Sequence, residues 1–369
     1  VENTIKKVDF IIVGQGLAGS ILAFELMERG KTVQFFDQNG SDTGGGASRI
    51  AAGIINPVTG WRIVKTWKID ELLPHAHDTY TRMGAMLGDT FWQSRTIVRT
   101  IRNIEEENQW CLRASYSENK SYCKQDIFSQ FFPKKLQPFR GFVDVIGAAQ
   151  VDVPKLMTAF NSFLTNKNLI STEKFDFEAI KFVDDKHVRY KNFEAAKIIF
   201  CEGAGAVDNP YFQHLPFQLD KGELLLVKIP DFPLLKIQKI FKNKMSIVPL
   251  SDDLFWVGAT NEWHFENPKP SEHQRGELVS ALENMLRIPF EVVAHQAAVR
   301  PTVRDRRPLI GLHKTQPQLG IFNGLGTKGT SLAPYFASHF VAHLLDGLAL
   351  NPEISIERFD NMKNKIKNL

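Results

Sequence analysis

An α/β fold of Rossmann-like type is expected from how this chain begins, continues and returns. It opens on the apolar strand Val8-Asp9-Phe10-Ile11-Ile12-Val13, which runs straight into the glycine turn Gly14-Gln15-Gly16-Leu17-Ala18-Gly19. A second strand, Thr32 to Phe36, ends in Asp37, so strand, helix and strand fit within about 30 residues, the size of one βαβ unit. Much later, Ala196-Lys197-Ile198-Ile199-Phe200-Cys201 reads as a buried parallel-type strand and ends near Gly203-Ala204-Gly205. The runs between these segments alternate differently, so the dinucleotide-binding domain is expected to be interleaved with an α+β substrate domain built on an antiparallel sheet. At 369 residues the chain exceeds what one hydrophobic core covers. The expected division is residues 1–80, 142–216 and 298–369 for the first domain, and 81–141 and 217–297 for the second.

Each element has a local cause. In the first turn, Gly14 permits the tight bend, Gly16 lets a pyrophosphate approach bare backbone, and Gly19 lets helix and strand pack closely. Leu17, Ile21, Leu22, Phe24, Leu26 and Met27 then recur at helical spacing as far as Arg29-Gly30, where a basic residue and a glycine form a helix stop. Asp37 stands where an acid can accept hydrogen bonds from a ribose. Residues 42–53 begin too glycine-rich for regular structure and become helix-compatible at Ser48-Arg49-Ile50-Ala51-Ala52-Gly53, close enough in build to approach a ligand. Short β-branched and aromatic runs at Phe91 to Arg102, Glu223 to Val227, Met245 to Val248 and Leu254 to Gly258 predict the antiparallel sheet. Val151 to Leu164 reads as a helix, and Phe175 to Ile180 and His187 to Tyr190 as short strands. The turn Gly324-Leu325-Gly326-Thr327-Lys328-Gly329 precedes a helix from about Thr330 to Leu345, with Pro334 in its first turn, where proline is tolerated.

Composition narrows the class. A hydrophobic fraction of 43% with 23% charged residues excludes disorder as the main state, and no apolar run approaches the roughly 18 residues of a membrane span. The net charge of +4 is mild, and only Arg300, Arg304, Arg306 and Arg307 are locally basic, so charge gives no argument for nucleic acid. Cys111, Cys123 and Cys201 are too few and too irregular for a disulfide framework, and no CxxC spacing suggests zinc. His75, His77, His264, His295 and His313 share no metal-ligand spacing, so no metal is expected. The N-terminal apolar stretch carries Asp9 and glycines without a cleavage pattern; it reads as a strand, not an export signal, and a reducing cytoplasm is expected.

Four separated motifs then carry a resemblance: the glycine turn at residues 14–19, Ser48 to Gly53, Arg300-Pro301 followed by Arg307-Pro308-Leu309-Ile310-Gly311, and Asn323-Gly324-Leu325-Gly326 before Leu332-Ala333-Pro334. Together they resemble the D-amino-acid oxidase superfamily, which includes glycine oxidase, sarcosine oxidase and the FAD domain of a bifunctional tRNA wobble-uridine enzyme. The resemblance implies that the dinucleotide is FAD, its pyrophosphate on the first helix and its adenosine at Asp37. Candidate cofactor contacts are Gly14, Gly16, Leu17, Ala18, Gly19, Asp37, Gln38, Ser48, Arg49, Ala52, Gly53, Phe177, Gly203, Ala204, Gly205, Gly326, Thr327, Lys328, Gly329 and Thr330. The last helix, opening at Gly329 and Thr330, would aim its N-terminus at the N1/C2=O edge of the flavin, where the reduced ring is anionic, and Lys328 would add a full charge. No cysteine stands near Arg300 or in the last third of the chain, so the FAD is expected to be noncovalent.

The candidate catalytic residues are Arg300, Ser246 and Lys328. The resemblance implies that Arg300 forks onto a substrate carboxylate, a bidentate geometry suited to guanidinium. Glycine oxidases carry a tyrosine at the place matching Ser246, so the pocket here is expected to be larger or differently filled, which counts against glycine itself. Trp61-Arg62 and Lys65-Thr66-Trp67 either line the entrance or pack, and His264 and His295 are further active-site candidates. The implied activity is oxidation of the C–N bond of a small amino acid or secondary amine carrying a carboxylate, by hydride transfer to flavin N5, with oxygen or another electron acceptor to follow. Two alternatives stay open: oxidation of the carboxymethylaminomethyl group of a tRNA wobble uridine, and a non-catalytic flavin-binding protein.

Overall fold

A computed structural model describes residues 5–39, 46–60 and 62–360; the glycine-rich residues 42–45 and Trp61 lie outside them. In chain order the first half comprises β1 (Lys6–Val13), α1 (Leu17–Glu28), β2 (Val33–Asp37), β3 (Ile54–Ile55), β4 (Val58–Thr59), β5 (Val64–Lys65), α2 (Ile69–Leu87), β6 (Trp92–Ile101), α3 (Ile104–Ser115), β7 (Gly141–Val151) and α4 (Val153–Asn166). The second half comprises β8 (Ile170–Thr172), β9 (Ile180–Phe182), β10 (Val188–Tyr190), β11 (Phe193–Phe200), β12 (Asp220–Lys228), β13 (Lys239–Lys242), β14 (Ser246–Pro249), β15 (Leu254–Gly258), α5 (Glu272–Glu283), β16 (Glu291–Arg300), β17 (Leu309–Leu312), β18 (Leu319–Asn323) and α6 (Gly329–Asp346). No helix among the described residues is long and apolar enough to cross a membrane.

The first sheet runs β17-β18-β11-β1-β2-β8, with β10 and β9 added beside β11. β1 pairs in parallel with β11 and β2, so the N-terminal strand sits in the centre, and the apolar residues Ile11, Ile12, Ile198 and Ile199 are fully buried. That is why these strands read as continuous apolar runs: both faces are covered. Helix α1 lies between this sheet and the last helix, α6. Phe175 to Ile180 is a single 3-10 turn, Phe177–Ala179, leading into β9, where a strand was expected. Asp176 explains it, since its carboxylate caps the turn by accepting the Glu178 N–H at 3.0 Å.

The second sheet runs β16-β12-β15-β14-β13-β6-β7-β3. Its pairs are antiparallel, as expected, except that β13 joins β6 in parallel. One face carries Leu224, Ile240, Val248, Trp256 and Ile97, which share a core with α1, α4 and α6; the other carries Leu225, Phe241, Ile247, Phe255 and Val257, which pack on Leu278 and Leu282 of α5. The sheet therefore turns one face to the helices of the first sheet and one to its own helix. Pro334 falls in the second turn of α6, because the helix starts at Gly329. The proline cannot donate to the Thr330 carbonyl four residues back, and the buried Tyr80 hydroxyl donates to that carbonyl instead, at 2.8 Å.

Candidate functional site

The turn after β1 is built on three steric demands. Gly14 has φ +99°, and a Cβ there would lie 2.4 Å from the Cys201 carbonyl oxygen. A Cβ on Gly19 would lie 2.1 Å from the Gly14 oxygen, so α1 rests directly on the strand end. Gly16, by contrast, is open, its nearest neighbour being Ser48 Oγ at 3.5 Å. This hydroxyl accepts the Leu17 N–H at 3.0 Å, which ties the 3-10 turn Ala47–Ile50 to the start of α1. Ala18 is half-buried behind it. At the end of β2, Asp37 accepts the Gln15 N–H at 2.7 Å and the Asn39 N–H at 2.9 Å, with Gln38 exposed beside it.

The second flank comes from segment 48–53 and the end of β11. Arg49 is half-buried and Ala52 buried, while Gly53, at φ +67°, approaches Val151 so closely that a Cβ would meet its oxygen at 1.8 Å. Gly203, Ala204 and Gly205 form the first turn of a short 3-10 helix, Gly203–Asp208, and the Gly203 carbonyl accepts from Asn323 at 3.0 Å. Phe177 is half-buried against Phe175 and Phe200 in the aromatic cluster of the first sheet. Glu202 was not anticipated. Burial pushes its carboxyl up to about 7, although Asn209 donates to it at 2.7 Å.

The last turn closes the cradle. Gly324 and Gly326 adopt φ +72° and +55°, and the Gly326 N–H donates to the Pro301 carbonyl, which joins the Arg300-Pro301 corner to α6. Gly329 packs on Leu17, Thr330 is buried, Thr327 is exposed and Lys328 half-buried. Burial, with Arg306 and Arg307 nearby, holds the Lys328 ammonium below its usual range. Neither α1 nor α6 has a side-chain cap at its N-terminus. Ser48 takes the Leu17 N–H, but the N–H groups that follow it in α1 and those that open α6 have no side-chain cap, and each helix start carries roughly half a positive charge. With the naked approach at Gly16 and the acid at Asp37, this donor set fits an anionic dinucleotide such as FAD.

On the second sheet, Arg300 ends β16. Its guanidinium lies over Gly222, where a Cβ would fall 1.8 Å from Nη2, and Nη1 donates to Asp220 at 2.7 Å, with the Thr260 carbonyl and Asn261 Oδ1 each at 3.2 Å. Asp305, a sequence neighbour, pairs instead with Arg358. Ser246 is buried on the same face: register links Arg300 to Asp220, Leu224 to Gly258, and Gly258 to Ser246. That face meets segment 48–53, since Trp256 Nε1 donates to the Ile50 carbonyl at 2.9 Å.

Other candidates are placed elsewhere. His295 lies on the opposite face, its Nε2 2.8 Å from the buried Glu223, which also binds Lys221 and Ser271. His264 is exposed. Trp67 stacks on Phe336 of α6 and lies under Arg307, whose guanidinium carbon is 4.0 Å from its ring, while Arg304 and Arg306 are exposed. The sequence reading missed Asp220, Arg99 and Lys242. A signal for Arg99 was present, because it interrupts the apolar alternation Ile97, Arg99, Ile101.

A profile described as FAD dependent oxidoreductase, DAO, matches residues 9–343. The glycine oxidase of Geobacillus kaustophilus is 24% identical over 357 residues, covering 88% of this chain and 90% of that protein. The bifunctional protein MnmC of Marinobacter nauticus, involved in tRNA 5-methylaminomethyl-2-thiouridine biosynthesis, is 23% identical over 360 residues; the match covers 89% of this chain and 54% of MnmC, about half its length. Among solved structures, the Geobacillus kaustophilus glycine oxidase superposes with a TM-score of 0.77 at 22% identity, covering 94% of this chain and 97% of that one. Iminodiacetate oxidase from a Chelativorans species gives 0.75 at 19% identity, covering 94% and 99%. The glycine cradle, the two adjoining helix starts and the match over most of the length agree: the chain belongs to the DAO family of FAD-dependent oxidoreductases.

Proposed function

We propose that this enzyme oxidises the C–N bond of a small amino acid or secondary amine bearing a carboxylate, and that Arg300 binds that carboxylate. The observation that carries the reading is the position of Arg300: its guanidinium is fixed over Gly222 by Asp220 on the sheet face turned toward segment 48–53. FAD, when bound, accepts the hydride from the carbon next to nitrogen. The chain's own groups orient and stabilise. Arg300 holds the acid, Ser246 leaves room beside it, and the bare start of α6 with Lys328 favours negative charge at the ring edge. This chemistry needs no nucleophilic triad.

An anaerobic screen tests the reading: small amino acids, N-alkyl glycines, dicarboxylic amino acids, proline analogues and tRNA hydrolysate are each mixed with the holoenzyme while the flavin band is followed. Bleaching by a carboxylated amine supports it; no bleaching by any of them returns the protein to the non-catalytic alternative. Arg300→Ala is expected to raise the concentration for half-reduction well over tenfold, since losing a buried charged pair costs about 2–5 kcal/mol. The likeness to MnmC along most of this chain favours keeping a second reading, the carboxymethylaminomethyl uridine, which the hydrolysate arm addresses.

A further inference from the structure

Next to Ser246 the sheet carries two more cations on the same face. Ser246 pairs with Lys242 of β13, and Lys242 pairs with Arg99 of β6. The run of register partners is therefore continuous from Gln296 and Leu224 through Gly258 and Ser246 to Lys242 and Arg99. Both cations are half-buried, and among the described residues neither forms an ion pair. Among the described residues Lys242 Nζ reaches only the Lys244 carbonyl, at 3.4 Å, and Arg99 Nη1 donates to the Gly60 carbonyl at 2.6 Å. Glu106, the acid Arg99 senses, is taken by Arg102.

Two like charges placed side by side and partly removed from water repel each other and lose hydration. Burial, followed by repulsion from Arg99, pushes the Lys242 ammonium down to about 8. A fold keeps such a pair at a cost unless an anion comes to it. The Arg300 guanidinium lies over Gly222 of β12, and Lys242 stands on β13, three strands away, about 14 Å at the usual strand spacing. The long Lys242 side chain covers part of that distance, and two carboxylates joined by a short chain, each with a charge-assisted bond at its outer end, bridge the remainder.

We propose that Lys242 and Arg99 form a second anion subsite, so that the substrate is a dicarboxylated amine held by Arg300 at one end and by this pair at the other. The proposal rests on Arg300 being the clamp of the reading above. Ser246, small and between the two ends, is the floor over which such a molecule lies.

Two ethers that lack the reacting nitrogen serve as probes, oxydiacetate with two carboxylates and methoxyacetate with one. Each is titrated into the FAD-loaded enzyme, with binding read both by the flavin absorbance change and by calorimetry. Oxydiacetate is expected to bind at least tenfold more tightly. That preference is expected to shrink about tenfold in Lys242→Met and in Arg99→Met, and to persist in Arg99→Lys, which keeps the charge. Arg300→Ala weakens both probes. The subsite is overturned if oxydiacetate fails to bind, binds no better than methoxyacetate, or keeps its preference in Lys242→Met and Arg99→Met. Turnover fails separately: if oxydiacetate shows the charge-dependent preference but no amine bleaches the flavin, the amine chemistry falls and the subsite stands.

Discussion

At the scale of single residues, Arg300 shows why position and partner must be read together. Its Nη1 is committed to Asp220, whose side chain is 2% exposed, so Asp220 fixes the guanidinium rather than competing for it. Arg300→Ala accordingly removes the proposed clamp and also strands a buried carboxylate, at a cost of roughly 3–5 kcal/mol in folding stability. Adding Asp220→Asn to that variant is expected to recover most of the stability in urea melts but none of the substrate affinity. Recovery of both would make Arg300 a structural residue. Glu202 gives a pH signature of its own. An acid raised from 4.5 to about 7 by burial stabilises the fold fully while it is protonated in both states, and that contribution is lost as pH rises through the folded value. Between pH 4.5 and 8 the wild type is expected to lose on the order of 3 kcal/mol relative to Glu202→Gln. Parallel melting curves for the two proteins over that range would contradict it.

At the scale of elements, α6 was legible as a helix and its chemistry only partly so. Proline near the start signals tolerance, yet nothing local says that Tyr80, 250 residues earlier, supplies the hydrogen bond that Pro334 withholds from Thr330. Tyr80→Phe is expected to leave that carbonyl unsatisfied and to cost about 1–3 kcal/mol in denaturant melts; an unchanged midpoint would mean another donor or water takes its place. The same limit governs the second sheet. β6, β12, β14 and β15 announce themselves by β-branched and aromatic runs, whereas β13, Lys239-Ile240-Phe241-Lys242, is four residues with no clean alternation. Its parallel pairing with a strand that ended at Ile101 is set by long-range packing, so neither the pairing nor the facing of Lys242 was readable. The glycine turn was readable because each steric demand is local: Gly14→Ala is expected to abolish FAD binding, measured by flavin content after purification, through the clash with the Cys201 carbonyl at φ +99°.

At the scale of the molecule, segment 48–53 belongs to both sheets at once. Ser48 ties it to α1, Trp256 of β15 donates to Ile50, Val151 at the end of β7 donates to the Gly53 carbonyl, and the next residues enter the second sheet as β3. The Arg300-Pro301 corner is in turn bonded to the turn that starts α6. A ligand seated among Gly16, segment 48–53 and α6 therefore loads the first sheet and the second together. FAD is expected to raise the melting temperature of the whole chain in one cooperative step, the added stability growing with free cofactor and reaching about 2.7 kcal/mol at a hundred times its Kd. Calorimetry of apoprotein and FAD-loaded protein checks this. Two separate transitions, with only one responding to FAD, would show the sheets melting independently. Trp256→Phe, which removes the indole donor to Ile50 while keeping most of the ring, is expected to reduce the FAD-dependent shift more than it lowers the melting point of the apoprotein, because that hydrogen bond holds segment 48–53 against the second sheet.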